Sequence, residues 1–320
     1  MAADTIDEAA SAPMPSFVCV GVEKCGTTSL HRMLDQHPDV YLGRFKEHFF
    51  FNREFDRGID WYRDRYNTWE GQRLVGDITP SYFRNPKSYD RIHELCGADT
   101  KGILVLRQPL IRAWSHYNHQ LLRAKFDVGF EETFDHPLID VDYVRVVRRF
   151  QNDFGDRGMT LIYEDDLVAD PLVAARLVGD HLGITIDGVE SRWSNRGMAS
   201  HYQVIERGQV LETDQGTMVA DADALVFTSR PELSEVILGP TSAQIAEARG
   251  RQAQWTRSLE AASVQPMTDS VFGTVVDDLE SLLGRTLDSW RSVGEPPTYD
   301  LAPLPAAVLK RTGAASPQAS

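Results

Sequence analysis

Phe17-Val18-Cys19-Val20-Gly21-Val22 runs directly into Glu23-Lys24-Cys25-Gly26-Thr27-Thr28-Ser29, and this junction decides the fold class. The apolar run lacks polar alternation, the signature of a strand buried on both faces in a parallel sheet. After the glycine turn, Leu30, Met33 and Leu34 fall at i, i+3 and i+4, which marks a helix ended by His37-Pro38. A buried strand, a tight turn and a helix N-terminus form an anion site, because backbone N–H groups converge there and the helix dipole adds positive charge. Lys24 contributes a full charge, and Thr27, Thr28 and Ser29 contribute hydroxyl donors. The alternative is a helix N-cap without a ligand, since Gly-Thr-Thr-Ser also suits capping. An ATP-binding loop reads GxxxxGK[ST], with lysine directly after the second glycine. Thr27 stands at that place here and the lysine precedes Gly26 by two residues, which shifts the cation along a phosphate chain and removes the usual pairing around magnesium.

Two more buried strands are expected, at Ile103 to Leu106 and Thr160 to Tyr163. The first leads into a helix from about Leu110 to Ala124. The second is followed by Glu164-Asp165-Asp166 and, after Pro171, a helix through Leu182. Repeated strand–turn–helix units predict an α/β, doubly wound parallel sheet flanked by helices, with a P-loop-like phosphate loop. Residues 1–15 and 294–320 read as tails rich in Ala, Ser and Pro around a domain at 16–293. Within it, residues 198–266 break the rhythm. Alternating stretches at Tyr202 to Leu211 and Thr217 to Phe227 suggest a hairpin, and a charged helix is expected around Ser242 to Leu259. That segment reads as an insertion, either a substrate cap or a peripheral elaboration. A helical pattern returns at Val271 to Leu283.

The 320 residues are 42% hydrophobic and 25% charged, ordinary globular composition, with a formal net charge of −14. Such an acidic balance argues against a general nucleic-acid partner, which needs a basic footprint. Three cysteines without CxxC spacing suit a reducing compartment. No stretch has the length of a membrane span and the N-terminus lacks a basic start and apolar core, so the expectation is a cytoplasmic protein with no membrane span. The nine histidines form no HExxH-like cluster, so no metal site is expected.

Arg107 follows the Ile103 to Leu106 strand at once, in Arg107-Gln108-Pro109-Leu110-Ile111-Arg112-Ala113-Trp114-Ser115-His116-Tyr117. An arginine at a strand's carboxyl end faces the crevice where doubly wound folds bind ligands. With Ser115 on the following helix, it suits a terminal phosphate through charge-assisted bonds. Arg107 could equally pair with acidic surface groups, leaving Ser115 an ordinary helix residue.

Together the two loops resemble the sulfotransferase family. Val20 to Ser29 looks like its 5′-phosphosulfate loop, and Arg107-Gln108-Pro109 with Arg112, Ala113, Ser115 and Tyr117 looks like its RxPxxRAxSxY 3′-phosphate motif. Lys46-Glu47-His48-Phe49-Phe50-Phe51 resembles the KExxFF segment of the Golgi-type and bacterial branch, and Gly76-Asp77-Ile78-Thr79-Pro80-Ser81-Tyr82 its G[ED]xxPxY segment. Leu282 to Trp290 resembles the family's C-terminal helix ending. The resemblance covers about residues 16–195 and 270–291. It implies binding of PAPS, 3′-phosphoadenosine-5′-phosphosulfate, with 3′,5′-ADP as product and no metal. Lys24, Cys25, Gly26, Thr27, Thr28 and Ser29 would hold the 5′-phosphosulfate, Arg107 and Ser115 the 3′-phosphate, and Glu47 would be the base. The chain departs from the pattern in three places. His48 stands where relatives often have Pro, residues 195–266 do not match the compact nucleotide-closing loop, and no lysine lies between Lys125 and Lys310. Arg192 or Arg196 is a candidate substitute.

The implied reaction is in-line sulfuryl transfer to a hydroxyl or amine of a small molecule, sugar or glycolipid, with Glu47 taking the acceptor proton and Lys24 stabilising the leaving oxygen. Glu47 has a structural alternative, an ion pair with Lys46, and His116 and His119, at i and i+3 on one helix face, are rival bases. Phe49, Phe50, Phe51, Trp61, Tyr62, Tyr66, Trp69 and Tyr82 offer acceptor-pocket or core surfaces, Trp61 and Tyr62 being the better pocket candidates. The competing classes are an ATP-dependent small-molecule kinase and a non-catalytic nucleotide-binding protein.

Overall fold

The computed structural model describes residues 14–122, 128–186, 201–205, 207–208, 210–213, 216–219, 224–228, 235–238, 241–243 and 273–291. The chain divides into two compact units. The first holds a five-stranded sheet built from β1 (Phe17–Gly21), β2 (Val40–Tyr41), β3 (Leu74–Ile78), β4 (Lys101–Leu106) and β5 (Gly158–Ile162). Its order is β2-β3-β1-β4-β5, and every pairing is parallel. The doubly wound expectation therefore holds, and the three predicted strands are β1, β4 and β5. The helices of this unit are α1 (Thr27–Asp35), α2 (Ile59–Asp64), α3 (Pro86–Cys96), α5 (Tyr143–Phe154), α6 (Pro171–Leu182), α7 (Gly273–Leu283) and α8 (Asp288–Arg291). Helix α4 (Pro109–Leu122) starts in the first unit and continues into the second after Arg112.

Local chemistry accounts for these elements. All five residues of β1 are buried, as a strand covered on both faces requires. Helix α1 buries Thr27, Leu30, Met33 and Leu34, the stripe its spacing predicted. Helices α3 and α6 each open with proline at N1, behind an Asn85 or Asp170 cap whose side chain accepts from Lys87 N or Leu172 N. Asp142 caps α5 likewise, and α5 packs Tyr143, Val146, Val147, Phe150 and Phe154 inward. The strand β3 escapes a periodicity reading because Asp77 interrupts its apolar run. Gly76, paired with Phe17, leaves room for that ring: a Cβ there would lie 2.1 Å from the Phe17 Cζ.

β1 is the point where the sheet order turns. Its successors β2 and β3 lie on one side of it and β4 and β5 on the other. Ligands of such sheets bind beyond the carboxyl ends of the strands at this switch point. The loops after β1, β2, β3, β4 and β5 carry Lys24, Glu47, Thr79, Arg107 and Tyr163, respectively.

In the second unit, Trp114, Tyr117, Phe130 and Phe134 form an aromatic cluster, with the Tyr117 hydroxyl donating to Val128 O at 2.8 Å. β7 (Val210–Thr213) and β8 (Gly216–Val219) form an antiparallel hairpin, and β6 (His201–Ile205) and β9 (Ala224–Thr228) pair antiparallel around it in sequence. The two alternating stretches thus do pair, with β10 (Glu235–Leu238) added against β9. Of the helix expected around Ser242 to Leu259, all but the first two residues lie outside the described residues, as do Arg192, Arg196 and nearly all of both tails.

Candidate active site

The loop after β1 is shaped by two left-handed residues, Lys24 at φ 71° and Gly26 at φ 88°. Gly26 has no alternative here. Besides its φ, a Cβ would lie 2.4 Å from Cδ2 and Cε2 of Tyr163, whose ring lies against the glycine. Gly26 takes the N-cap position of α1 with no side-chain capping bond, and Ser29 N donates to Gly26 O at 2.9 Å. A helix start without a side-chain cap suits an external anion. Thr27 is buried, while Thr28 and Ser29 are half-buried on the first turn. Cys25 faces inward: its amide donates to Val22 O at 3.3 Å, and its thiol lies 3.7 Å from the Tyr143 hydroxyl. Burial pushes that thiol up to about 12, so it stays protonated.

Arg107 leaves β4 and reaches back to this loop, its Nη1 donating to Lys24 O at 3.2 Å. The guanidinium lies over the Tyr163 ring at 4.6 Å from the centroid, and its Nε faces Glu164 Oε1 at 3.7 Å. Tyr143 donates to Arg107 O at 3.0 Å, and the Gln108 side chain accepts from Ile111 N at 2.7 Å, starting α4. The two predicted anion loops are thus joined directly. Ser115 is buried on α4 and falls within the second unit, as do His116 and His119. His116 Nε2 lies 2.8 Å from the Gln120 amide nitrogen, and the two histidine rings are 6.3 Å apart, sharing a helix face.

Glu47 follows β2. Lys46 Nζ lies 3.4 Å from Glu47 Oε1, the two side chains being 4% and 13% exposed, so the ion pair considered from sequence forms. The Cys19 thiol of β1 is raised to about 12 by its burial. The segment is anchored through its backbone, where His48 N donates to Thr79 Oγ1 at 3.0 Å. Thr79 in turn donates to Asp77 Oδ1 at 2.7 Å, while the Tyr62 and Tyr82 hydroxyls donate to Asp77 Oδ2 at 2.8 and 2.7 Å. This fully buried carboxylate is the hub under the Glu47 loop. Burial, reinforced by the Asp77 charge, raises Tyr62, Tyr66 and Tyr82 well above the ordinary phenol range.

Tyr62 is therefore core, not pocket, and so are Phe50, Phe51, Tyr66 and Tyr82, because their rings pack on one another, the Tyr62 and Tyr82 phenols serve Asp77 and the Tyr66 phenol donates to Gly76 O. Trp61 stays partly exposed beneath Arg65 and Arg57, whose guanidiniums lie 4.2 and 4.9 Å from its ring centroid. His48, standing where the pattern has proline, fills the core beside Tyr66, 4.9 Å between rings, with its Nε2 3.2 Å from Leu42 O. Among the described residues, the non-glycine positions with positive φ are Lys24 and Phe49, one in each candidate loop. Backbone strain of this kind persists where the surroundings over-determine it, commonly at functional sites.

Sequence reasoning missed the set behind Arg107. Tyr163 and Glu164 open the wide helical turn Tyr163–Val168, and the C-terminal segment clasps that turn. Trp290 Nε1 donates to Glu164 Oε2 at 3.0 Å, and Arg285 Nη1 reaches both Asp166 oxygens at 2.9 and 2.8 Å. The rule that singled out Arg107, a polar residue directly after a buried strand, applies equally to Tyr163 and Glu164. Also unforeseen is Glu23 within the anion loop, neutralised by Arg84, whose Nε meets its two oxygens at 2.9 and 3.0 Å.

Comparison with known proteins agrees with this geometry. Residues 15–73 match the Sulfotransferase family. The chain is 34% identical over 187 residues to the human heparan sulfate glucosamine 3-O-sulfotransferase 3B1, covering 54% of this chain and 47% of that one. It is also 34% identical over 128 residues to the membrane-associated sulfotransferase kil1 of Dictyostelium discoideum, covering 38% and 27% respectively. The chain thus spans about half or less of these relatives' length. Among solved structures, a sulfotransferase from Alicyclobacillus acidocaldarius shares the fold, with a TM-score of 0.60 at 22% identity over 88% of this chain and 100% of that one. With its anion loop, its KExxFF-like segment and its arginine after β4 on that fold, the chain is similar to sulfotransferases, its match to the Sulfotransferase family lying over residues 15–73.

Proposed function

We propose that the protein transfers a sulfuryl group from PAPS to a sugar or small-molecule hydroxyl or amine, with Glu47 as general base and Lys24 at the leaving oxygen. The observation that carries this reading is the Arg107 Nη1 bond to Lys24 O, which joins two cationic anion-binding loops at the switch point of the sheet. The residues fit the donor. The first turn of α1, Lys24 and the hydroxyls of Thr27, Thr28 and Ser29 suit the 5′-phosphosulfate, and Arg107 suits the 3′-phosphate. Bound PAPS supplies the sulfuryl group and departs as 3′,5′-ADP. Glu47 takes the proton of the attacking hydroxyl, its carboxylate oriented by Lys46 and its backbone by the Thr79–Asp77 pair. Lys24, held in its left-handed conformation, offsets charge on the bridging oxygen. The scheme needs no metal ion.

On the acceptor, the relatives named as heparan sulfate glucosamine 3-O-sulfotransferases support a sugar. The surface just before Glu47 suits one. Phe45 is 44% exposed beneath Arg65 and Arg44, and Trp61 sits beneath Arg65 and Arg57, offering ring faces and guanidiniums together on a chain of net charge −14. Among the described residues no helix is long and apolar enough to cross a membrane. The free thiols of Cys19, Cys25 and Cys96 suit the reducing cytoplasm.

Calorimetric titration with 3′,5′-ADP, 5′-AMP and magnesium-ATP tests the donor assignment. Metal-independent binding that requires the 3′-phosphate and is lost in Arg107→Ala is expected. Equal binding of 3′,5′-ADP and 5′-AMP would overturn it, and a preference for magnesium-ATP would favour a kinase. With PAPS and an accepted sugar, Glu47→Gln should cost about two to four orders of magnitude in kcat.

A further inference from the structure

We infer that Glu164 is a positioning residue that preorganises Arg107 for the 3′-phosphate, and that the C-terminal Trp290 holds Glu164 in place for that task. The inference rests on the nucleotide reading above and adds two residues to it. An arginine side chain loses rotamer freedom when it is fixed, and ordering it only on binding would weaken the complex. Arg107 is ordered beforehand on three sides: Lys24 O below Nη1, the Tyr163 ring beneath the guanidinium plane, and Glu164 facing Nε. Its side chain is 12% exposed.

Glu164 is itself fixed. Gln108 N lies 3.3 Å from each carboxylate oxygen, and Trp290 donates to Oε2 at 3.0 Å. Trp290 is fully buried, its ring 5.9 Å from that of Tyr143, whose hydroxyl donates to Arg107 O. A carboxylate anchored by the backbone next to Arg107 and by a residue 126 positions away is suited to setting an angle. At 3.7 Å the Nε contact is longer than a hydrogen bond, so Glu164 steers the guanidinium by charge without consuming a donor the phosphate would use. Glu164 thus acts with the ligand, not as a placeholder that the ligand must expel.

Affinities for 3′,5′-ADP and 5′-AMP, measured by calorimetry on the full chain, test this. Glu164→Gln should weaken 3′,5′-ADP about tenfold and leave 5′-AMP within about twofold. Adding it to Arg107→Ala should change nothing further, as expected when one residue acts through the other. Trp290→Phe, which removes the indole donor along with part of the buried ring, should shift the same ratio in the same direction by a smaller factor, and it carries the test if Glu164→Gln fails to fold. Equal weakening of both nucleotides would reduce Glu164 to a structural role and overturn the inference. So would unchanged selectivity, or tighter 3′,5′-ADP binding, which would mark a competitor. A wild-type protein indifferent to the 3′-phosphate would instead defeat the nucleotide reading itself.

Discussion

Replacing Asp77 by alanine probes the hub under the Glu47 loop. The carboxylate is fully buried and accepts three hydroxyls, from Tyr62, Tyr82 and Thr79, at 2.7 to 2.8 Å. A buried donor left without a partner costs about 1–3 kcal/mol. Two circumstances lower the total: Tyr62 retains the Tyr66 hydroxyl at 3.2 Å, and removing the charge returns part of its desolvation cost. The expected loss is therefore about 3–6 kcal/mol, a large share of the roughly 5–15 kcal/mol that a domain has. Asp77→Asn keeps the shape and one carbonyl acceptor for the two phenols and forfeits the charge and the bond from Thr79, about 1–3 kcal/mol. Urea unfolding of the three proteins, read as a midpoint change at constant slope, measures both. If alanine costs less than about 1 kcal/mol, or asparagine costs as much as alanine, the three bonds do not carry this region and the hub reasoning fails.

Two further outcomes follow from the same geometry. Gly26→Ala should destabilise by about 2–4 kcal/mol, combining a left-handed backbone cost with the 2.4 Å clash against Tyr163, and should abolish nucleotide binding; in a Tyr163→Ala background, the urea midpoint should show the clash part recovered and the backbone part retained. Burial lowers the His48 pKa below 6.5, so between that lowered value and 6.5 the unfolded chain binds more protons than the folded one, and stability falls as pH drops through this window. His48→Gln removes that contribution, so its urea midpoint should decline less than the wild type's below pH 6.5; parallel curves would refute the buried neutral ring.

Much of the site was legible because its signals are local. An uninterrupted apolar run is buried wherever it falls in a parallel sheet, and a glycine turn with lysine and hydroxyls at a helix start presents donors whatever surrounds it. Hence the loop from Gly21 to Ser29, the arginine after β4 and the parallel sheet could all be read without coordinates. Glu47 is named through the family resemblance of the Lys46 to Phe51 segment, and its ion pair with Lys46 could be foreseen because neighbours in sequence meet without help from the fold.

What the sequence could not decide is which distant groups meet. Asp77 in the apolar β3 looks like a flaw in a strand until three hydroxyls from Tyr62, Thr79 and Tyr82 close on it, and Tyr62 looks like a pocket wall until its phenol is seen to be spent there. Glu164 is one carboxylate in an acidic run, and only the tertiary structure puts Arg107, Gln108 N and Trp290 around it. The physical reason is common to both cases. Periodicity and composition report whether a side chain is buried, a property of its own segment. The partner that satisfies a buried donor or acceptor is chosen by packing between segments tens of residues apart, and that choice exists only once the chain has folded.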